Sequence, residues 1–396
     1  MIWPQAPTPS SLRDLLLGLL PVRARCDPPD RLDRLLVLQP DHLGDLLFLT
    51  PALRLLRRKL PSARIEIVIG PWNRRVIAGN ENIDESFLFE FPWFDRSGRQ
   101  PLSERLFRLA ELAQLIRSRR PDAVLIFRPD FWWGALAARL AGSRSVVGHN
   151  DRQTKGLLTH RLAKQTASSH IVDLNLALAA FVANADPTVS RQLDFQITDK
   201  DRLSAKRLRA DASPAKELLA VHVGAGSKIK RWPEQHFAAT ADALAGRDEQ
   251  PQVVLTAGPG ETEIAARVST LMNGPALNLA GRTSLGSLAA LFETAAAVIG
   301  ADSGPLNLAV AVGTPTIHLF GPASAERYGP YGDPGRHIVI GSDLPCSPCG
   351  RLDIPDAALD AHDCVRLISP ERVTTAASDL LAGVSAGSLS KDLAKS

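Results

Sequence analysis

Cysteine is scarce: the 396-residue chain has four, and Cys26 lies far from the other three. That is no disulfide framework, and it fits a reducing compartment, the cytoplasm. No apolar run approaches the roughly 20 residues needed to cross a bilayer. The leucine-rich stretch 11–23 is interrupted by Arg13 and Asp14 and ended by Pro21. RARCDPPD after it is a poor cleavage site, so a secretory leader is not expected. The stretch reads instead as a short amphipathic helix, either packed on the body or touching a membrane surface. Charge of one sign is also missing. A net +4 gives no electrostatic case for nucleic-acid binding across the whole molecule, although local basic patches remain open. No Gly-Lys-Ser or Gly-Lys-Thr phosphate loop is present.

What is there suits a soluble globular protein: 45% apolar and 22% charged residues. The length exceeds one ordinary core and points to two domains of roughly 150 to 200 residues. RLLVLQP (34–40) is a continuous apolar run of strand length, the pattern of a strand covered on both faces. Leucines at helical spacing follow to Pro61, and strands and helices then alternate through HIVDLNLALAAFVANA (170–185). A second alternating series begins at LLAVHVGAG (218–226) and runs to TPTIHLFGP (314–322). The expected class is α/β with mainly parallel sheets. Boundaries follow: an N-terminal extension 1–33, a domain 34–185, a polar linker 186–215, a second domain 216–373, and a C-terminal helix with a flexible tail, 374–396.

The chemistry-bearing residues lie after strands. QPDHLGDLLFLTP (39–51) replaces a glycine-rich loop with Asp41, His42 and Asp45 around Gly44. Gly44 is expected to let the chain turn from strand to helix, placing Asp45 at a helix start. VGAGSKIKRWP (223–233) combines small residues, Gly224, Gly226 and Ser227, with Lys228, Lys230 and Arg231. That suits a diphosphate, although a solvated basic loop reads the same way. In ADSGPLNLAVAVG (301–313), Pro305 starts a helix, and the amides of Ser303 and Gly304 would face an anion. Asp302 is either part of that site or a plain helix cap. TAGPGETE (256–263) offers Glu261 and Glu263 to ribose hydroxyls.

These motifs resemble those of glycosyltransferase family 9, the heptosyltransferases of lipopolysaccharide core assembly. The matching stretches include LGDLLFLTPALRLLRRKLPSARI, VGAGSKIKRWPEQHFA, LTAGPGETE, ADSGPLNLAVAVGTPTIHLFGP and CSPCGR with CVRLISPERV, spread in order over about 34–373. The resemblance implies a GT-B fold: two Rossmann-like α/β/α domains, acceptor-binding then donor-binding, facing across a deep cleft. It implies an inverting transferase, with heptose from ADP-heptose as the leading donor and a lipid-linked or surface saccharide as acceptor. Asp45 then matches the general base, Lys230 the cation on the donor phosphates, and Glu261 the ribose ligand. Gly224, Gly226, Ser227, Asp302, Ser303, Gly304 and Asn307 complete the donor site. No metal cofactor is required, because lysine and helix termini replace it; nothing resembles the Asp-x-Asp site of the other large glycosyltransferase class. Contact with the cytoplasmic face of the inner membrane is allowed.

The chain departs from the family in two places. Asn307 stands where histidine is usual, which keeps open another nucleotide sugar, a protein acceptor, or a binding scaffold without turnover. Cys346, Cys349 and Cys364 remain where relatives have a four-cysteine finger, but Ile354 stands at the fourth position. A structural metal would need His362 or Asp363 to complete it; reduced thiols packed in a loop are the alternative. His42 is a candidate acceptor contact or a loop residue. Arg57 and Arg58 are candidate contacts for a polyanionic acceptor, or a solvated face.

Overall fold

The computed structural model describes residues 24–94, 100–162, 170–210, 217–246, 251–352 and 354–393. The expected helix at 11–23, residues 95–99 of the loop after Pro92, and Asp353 lie outside them. The chain divides into two compact units, one ending at Gln196 and the other beginning at Ile197.

The first unit is a six-stranded parallel sheet in the order β3-β2-β1-β4-β5-β6. Its strands are β1 (Arg34–Gln39), β2 (Arg64–Ile69), β3 (Glu85–Leu88), β4 (Ala123–Ile126), β5 (Ser145–His149) and β6 (His160–Leu162). Leu35 to Leu38 are wholly buried, as a strand covered on both faces requires. The longer helices are α1 (Leu43–Lys59), α2 (Leu102–Arg119), α3 (Trp132–Leu140) and α4 (Ile171–Val182). Pro51 lies inside α1 and cannot donate to the carbonyl of Leu47. The Thr50 hydroxyl donates to that carbonyl instead, at 2.7 Å, so the helix continues.

The second unit repeats the design, with strand order β12-β11-β10-β7-β8-β9. Here β7 is Leu218–His222, β8 Gln252–Thr256, β9 Ala276–Asn278, β10 Ala295–Ala301, β11 Thr316–Phe320 and β12 His337–Gly341. Its longer helices are α5 (Asp199–Leu208), α6 (Glu234–Ala245), α7 (Thr262–Leu271), α8 (Leu285–Glu293), α9 (Gly304–Ala311) and α10 (Pro370–Leu393). Val373, Ala377, Leu380 and Leu381 of α10 pack into its core.

The segment 186–215, read as a linker, contains α5. A capping box builds it: Thr198 Oγ1 accepts from Asp201 N, and the Asp201 carboxylate accepts from Thr198 N. Arg202 then forks onto Glu293 at 2.9 and 3.0 Å. In both sheets the chain reverses direction of growth beside the first strand, between β1 and β4 and between β7 and β10. Ligands of doubly wound sheets bind at the carboxyl ends of such strands.

Candidate active site

At the end of β1 the chain enters α1 through Asp41 and His42. Gly44 lies inside the first turn of α1, so the reversal is made by Asp41 and by His42, the N-cap in extended conformation. Asp45 is buried (4% exposed) at the third helical position. The unpaired amides and dipole of that helix end favour a carboxylate there.

Asp41, left without a role by sequence reasoning, holds this turn together. Its carbonyl accepts from Trp72 Nε1 at 2.9 Å and Asn73 Nδ2 at 2.6 Å. Its carboxylate accepts from Gln39 Nε2 at 3.1 Å and from Arg128 Nη1. Arg128 follows β4 and forks its other edge onto Asp130, with Nε at 2.6 Å and Nη2 at 3.1 Å. Burial pushes the Asp41 carboxyl above its usual range, and Arg128 opposes that. Arg128 and Asp130 were not singled out in the sequence; the available signal was a charged pair directly after an apolar strand. His42 packs its ring 5.5 Å from that of Trp72.

In the second unit the loop after β7 carries Lys230. Lys230 Nζ lies 2.6 Å from Asp302 Oδ2 after β10, and both side chains are buried. Asp302 is therefore no helix cap; Ser303 occupies that position, and Pro305 falls within the first two residues of α9. The Ser303 side chain makes no cap bond. Ser303 Oγ and Asn307 Oδ1 are buried and have no hydrogen-bond partner among the described residues. An orphaned buried oxygen costs about 1–3 kcal/mol, and both are available to a ligand's donors.

Glu261, after β8, reaches back under the β7 loop. Its Oε1 accepts from Ala225 N at 3.0 Å and Arg231 Nη2 at 3.3 Å, and its Oε2 from Gly258 N at 3.3 Å. Gly224 is what makes room: a Cβ there would stand 2.1 Å from Glu261 Oε2. His222, also missed in the sequence, is buried at the end of β7 with Nδ1 3.0 Å from Thr256 Oγ1. Burial lowers its pKa to about 4, with the Glu261 charge pulling the other way, so it is neutral at pH 7.

The remaining expected residues have these surroundings. The Ser227 hydroxyl donates to the Leu352 carbonyl at 3.0 Å, and Gly226 is exposed beside it. Arg57 and Arg58 lie twelve and thirteen residues beyond Asp45, about 18 Å further along the same helix. Arg57 pairs with Asp84 at 2.6 Å and donates to the carbonyls of Pro61 and Ala63, while Arg58 is exposed. All four cysteines are free thiols. Cys364 is buried, which raises its pKa, and Cys349 and Cys346 are near enough to add to that. Among the described residues no three His, Cys, Asp or Glu side chains are grouped to hold a metal ion. Among them, too, no helix is long and apolar enough to cross a membrane.

Two doubly wound parallel sheets with buried charged residues at their switch points narrow the choice of families. The sequence model described as glycosyltransferase family 9 (heptosyltransferase) matches residues 109–355. The chain belongs to glycosyltransferase family 9. It is thus a glycosyltransferase, and the Lys230, Glu261 and Asp302 cluster lies in a family-9 fold. Lipopolysaccharide heptosyltransferase 3 of Escherichia coli is 27% identical over 291 residues, 70% of this chain and 80% of that one. Lipopolysaccharide heptosyltransferase 2 of E. coli K12 is 26% identical over 358 residues, 86% of this chain and 96% of that one. Among solved structures, a family-9 glycosyl transferase from Veillonella parvula superposes with TM-score 0.72 at 23% identity, covering 91% of this chain and 100% of that one. E. coli ADP-heptose heptosyltransferase II gives TM-score 0.69 at 23% identity, covering 88% and 99%. The fold of this family-9 enzyme is therefore GT-B.

Proposed function

We propose that this family-9 enzyme is an inverting heptosyltransferase that moves heptose from ADP-heptose onto a lipopolysaccharide-core saccharide, with Asp45 as general base. The observation that carries the reading is the cluster at the carboxyl ends of β7, β8 and β10. There Lys230, Glu261 and Asp302 converge beside the orphaned oxygens of Ser303 and Asn307. Relatives named lipopolysaccharide heptosyltransferases align over most of their length, which supports the sugar and the acceptor class.

In the reaction, Asp45 takes the proton of the acceptor hydroxyl as its oxygen attacks the anomeric carbon. The carbon–oxygen bond to the diphosphate breaks with its electron pair on the leaving phosphate. A positioned base is typically worth about 10² to 10⁴-fold. Lys230 and the amides at the start of α9 stabilise the growing phosphate charge, and Glu261 binds the ribose hydroxyls. Asn307 offers an uncharged amide at its position, so its contact with the donor does not depend on pH near neutrality.

A calorimetric screen of ADP-, GDP- and UDP-sugars against the intact protein tests the donor. ADP-heptose is expected to bind tightest, and binding of a GDP- or UDP-sugar with no ADP species bound would overturn the assignment.

A further inference from the structure

Asp41 collects contacts from both sides of the strand that carries it. Its carbonyl accepts from Trp72 and Asn73, which follow β2, the neighbour of β1 on one side. Its carboxylate accepts from Arg128, which follows β4, the neighbour on the other side. Nε2 of Gln39, the last residue of β1, donates to the second carboxylate oxygen at 3.1 Å. Gln39, Asp41, Asn73 and Arg128 are all buried.

Folding stability does not account for this arrangement. Gln39 and Asn73 each turn an amide nitrogen to Asp41. Their amide oxygens, Gln39 Oε1 and Asn73 Oδ1, are left buried with no partner among the described residues. Orphaned buried acceptors are unfavourable. The Asp41–Arg128 pair does not offset them, because desolvation cancels much of its attraction and an apolar pair of the same shape is often as stable. A turn needs its main-chain groups satisfied, not an ionised side chain tied to its neighbours. Positions where a fold accepts such conflicts are commonly those kept for function.

What the arrangement supplies is a fixed point. Asp41 is followed directly by His42, the N-cap of α1, and Leu46 N closes the first turn onto the His42 carbonyl at 3.1 Å. Asp45 lies buried in that turn. A small tilt or rotation of the start of α1 therefore displaces the Asp45 carboxylate. A misplacement of about 1 Å can cost about 10²-fold in rate.

We propose that Asp41 is a positioning residue for Asp45: held by Gln39, Asn73 and Arg128, it sets the entry of α1 and so the place of the carboxylate that takes the acceptor proton. The inference rests on the general-base role proposed above. Asp41 acts only through Asp45, and Asp130 in turn holds Arg128 by two hydrogen bonds.

The test combines amide hydrogen exchange with single-turnover transfer of heptose from ADP-heptose to a core saccharide, in Asp41→Ala, Asp45→Ala and the double variant. Asp41→Ala is expected to raise exchange in peptides spanning 42–48, the start of α1, while α2 and the second unit keep their protection. It is expected to slow transfer by about 10- to 10²-fold with the reacting fraction unchanged. When Asp45 is already alanine, the same change is expected to slow transfer by less than about twofold, because nothing remains to be positioned. Gln39→Met, a milder variant, removes one tie to Asp41 together with an orphaned oxygen. It is expected to slow transfer about threefold without lowering Tm, a combination that a merely structural role does not produce. Equal slowing by Asp41→Ala with and without the Asp45 carboxylate, unchanged exchange at 42–48, or transfer at the unaltered rate by Gln39→Met would overturn the positioning role. Transfer at the unaltered rate by Asp45→Ala is a separate outcome: it removes the base itself, and with it the group to be positioned. Absence of transfer by the unaltered protein counts against the donor or acceptor, and the exchange measurement then decides whether Asp41 fixes the start of α1.

Discussion

Lys230 and Asp302, 72 residues apart in sequence, meet as a buried ion pair with 2.6 Å between Nζ and Oδ2. The pair bridges the strand ends on either side of the second sheet's switch point. On the proposed reading, the pair holds the ammonium in place before the donor arrives, so little reorganisation remains for the reaction, and the donor's phosphates compete with Asp302 for the same cation.

Breaking the pair therefore has two effects of opposite sense. Removing one partner of a buried pair costs about 3–5 kcal/mol, because the other is left charged and dry. Asp302→Asn is expected to lower Tm in the free protein and to enlarge the stabilisation that ADP confers, since ADP then supplies the missing anion. Lys230→Met is expected to reduce kcat by about 10² to 10³-fold. Thermal unfolding with and without ADP checks the first expectation, and an ADP shift no larger than in the unaltered protein would contradict it.

Gly224 provides a steric test of Glu261. A methyl group at Gly224 would come within 2.1 Å of the Glu261 carboxylate, whereas at Gly260 it meets nothing within 4 Å. Gly224→Ala is expected to displace Glu261 and raise the donor KM at least about tenfold, a loss near 1.4 kcal/mol. Gly260→Ala is expected to leave KM unchanged. Steady-state kinetics on the two variants would show the assignment of Glu261 to be wrong if they behaved alike.

Acid stability follows from three buried histidines in the second unit. Burial lowers His222 and His337 to about 4 and His318 to about 3. Thr316 Oγ1 links His318 Nε2 and His337 Nδ1, each at 2.9 Å. The unfolded chain protonates such groups near pH 6.5, while the folded chain does not until about pH 4 or 3. The unfolded state therefore binds more protons across that window, and stability falls as pH drops below about 6.5. Each histidine contributes at most about 1.4 kcal/mol per pH unit. Denaturant unfolding at pH 7, 6 and 5 checks the slope; equal unfolding free energies at pH 7 and pH 5 would rule the histidines out.

The regular elements were legible because their apolar patterns are local. RLLVLQ reads as a buried strand, and the leucines after Asp45 read as the helix they form. Helix α5 was not read, although Thr198 and Asp201 give the capping signature in plain sequence; its exposed, charged surface hid the apolar contact on which hydrophobic periodicity depends. Strand β12 was missed because its alternation is short and its burial comes from pairing with β11. In the candidate site, the residues at strand ends were visible as motifs. Their pairings were not: Lys230 with Asp302, Arg128 with Asp41, and Glu261 beneath Gly224 are long-range contacts that no local spacing encodes. The pairing of Arg57 with Asp84, 27 residues away, is another contact that the run of charge on α1 does not encode.

The central claim is that Asp45 removes the acceptor proton in an inverting transfer from ADP-heptose. The direct measurement is single-turnover transfer of heptose from ADP-heptose to a core saccharide, with the anomeric configuration of the product read by NMR. The unaltered protein is expected to invert that configuration, and Asp45→Ala to slow transfer by about 10² to 10⁴-fold with ADP-heptose affinity unchanged. Transfer at the unaltered rate by Asp45→Ala, or a product that retains configuration, would contradict the account.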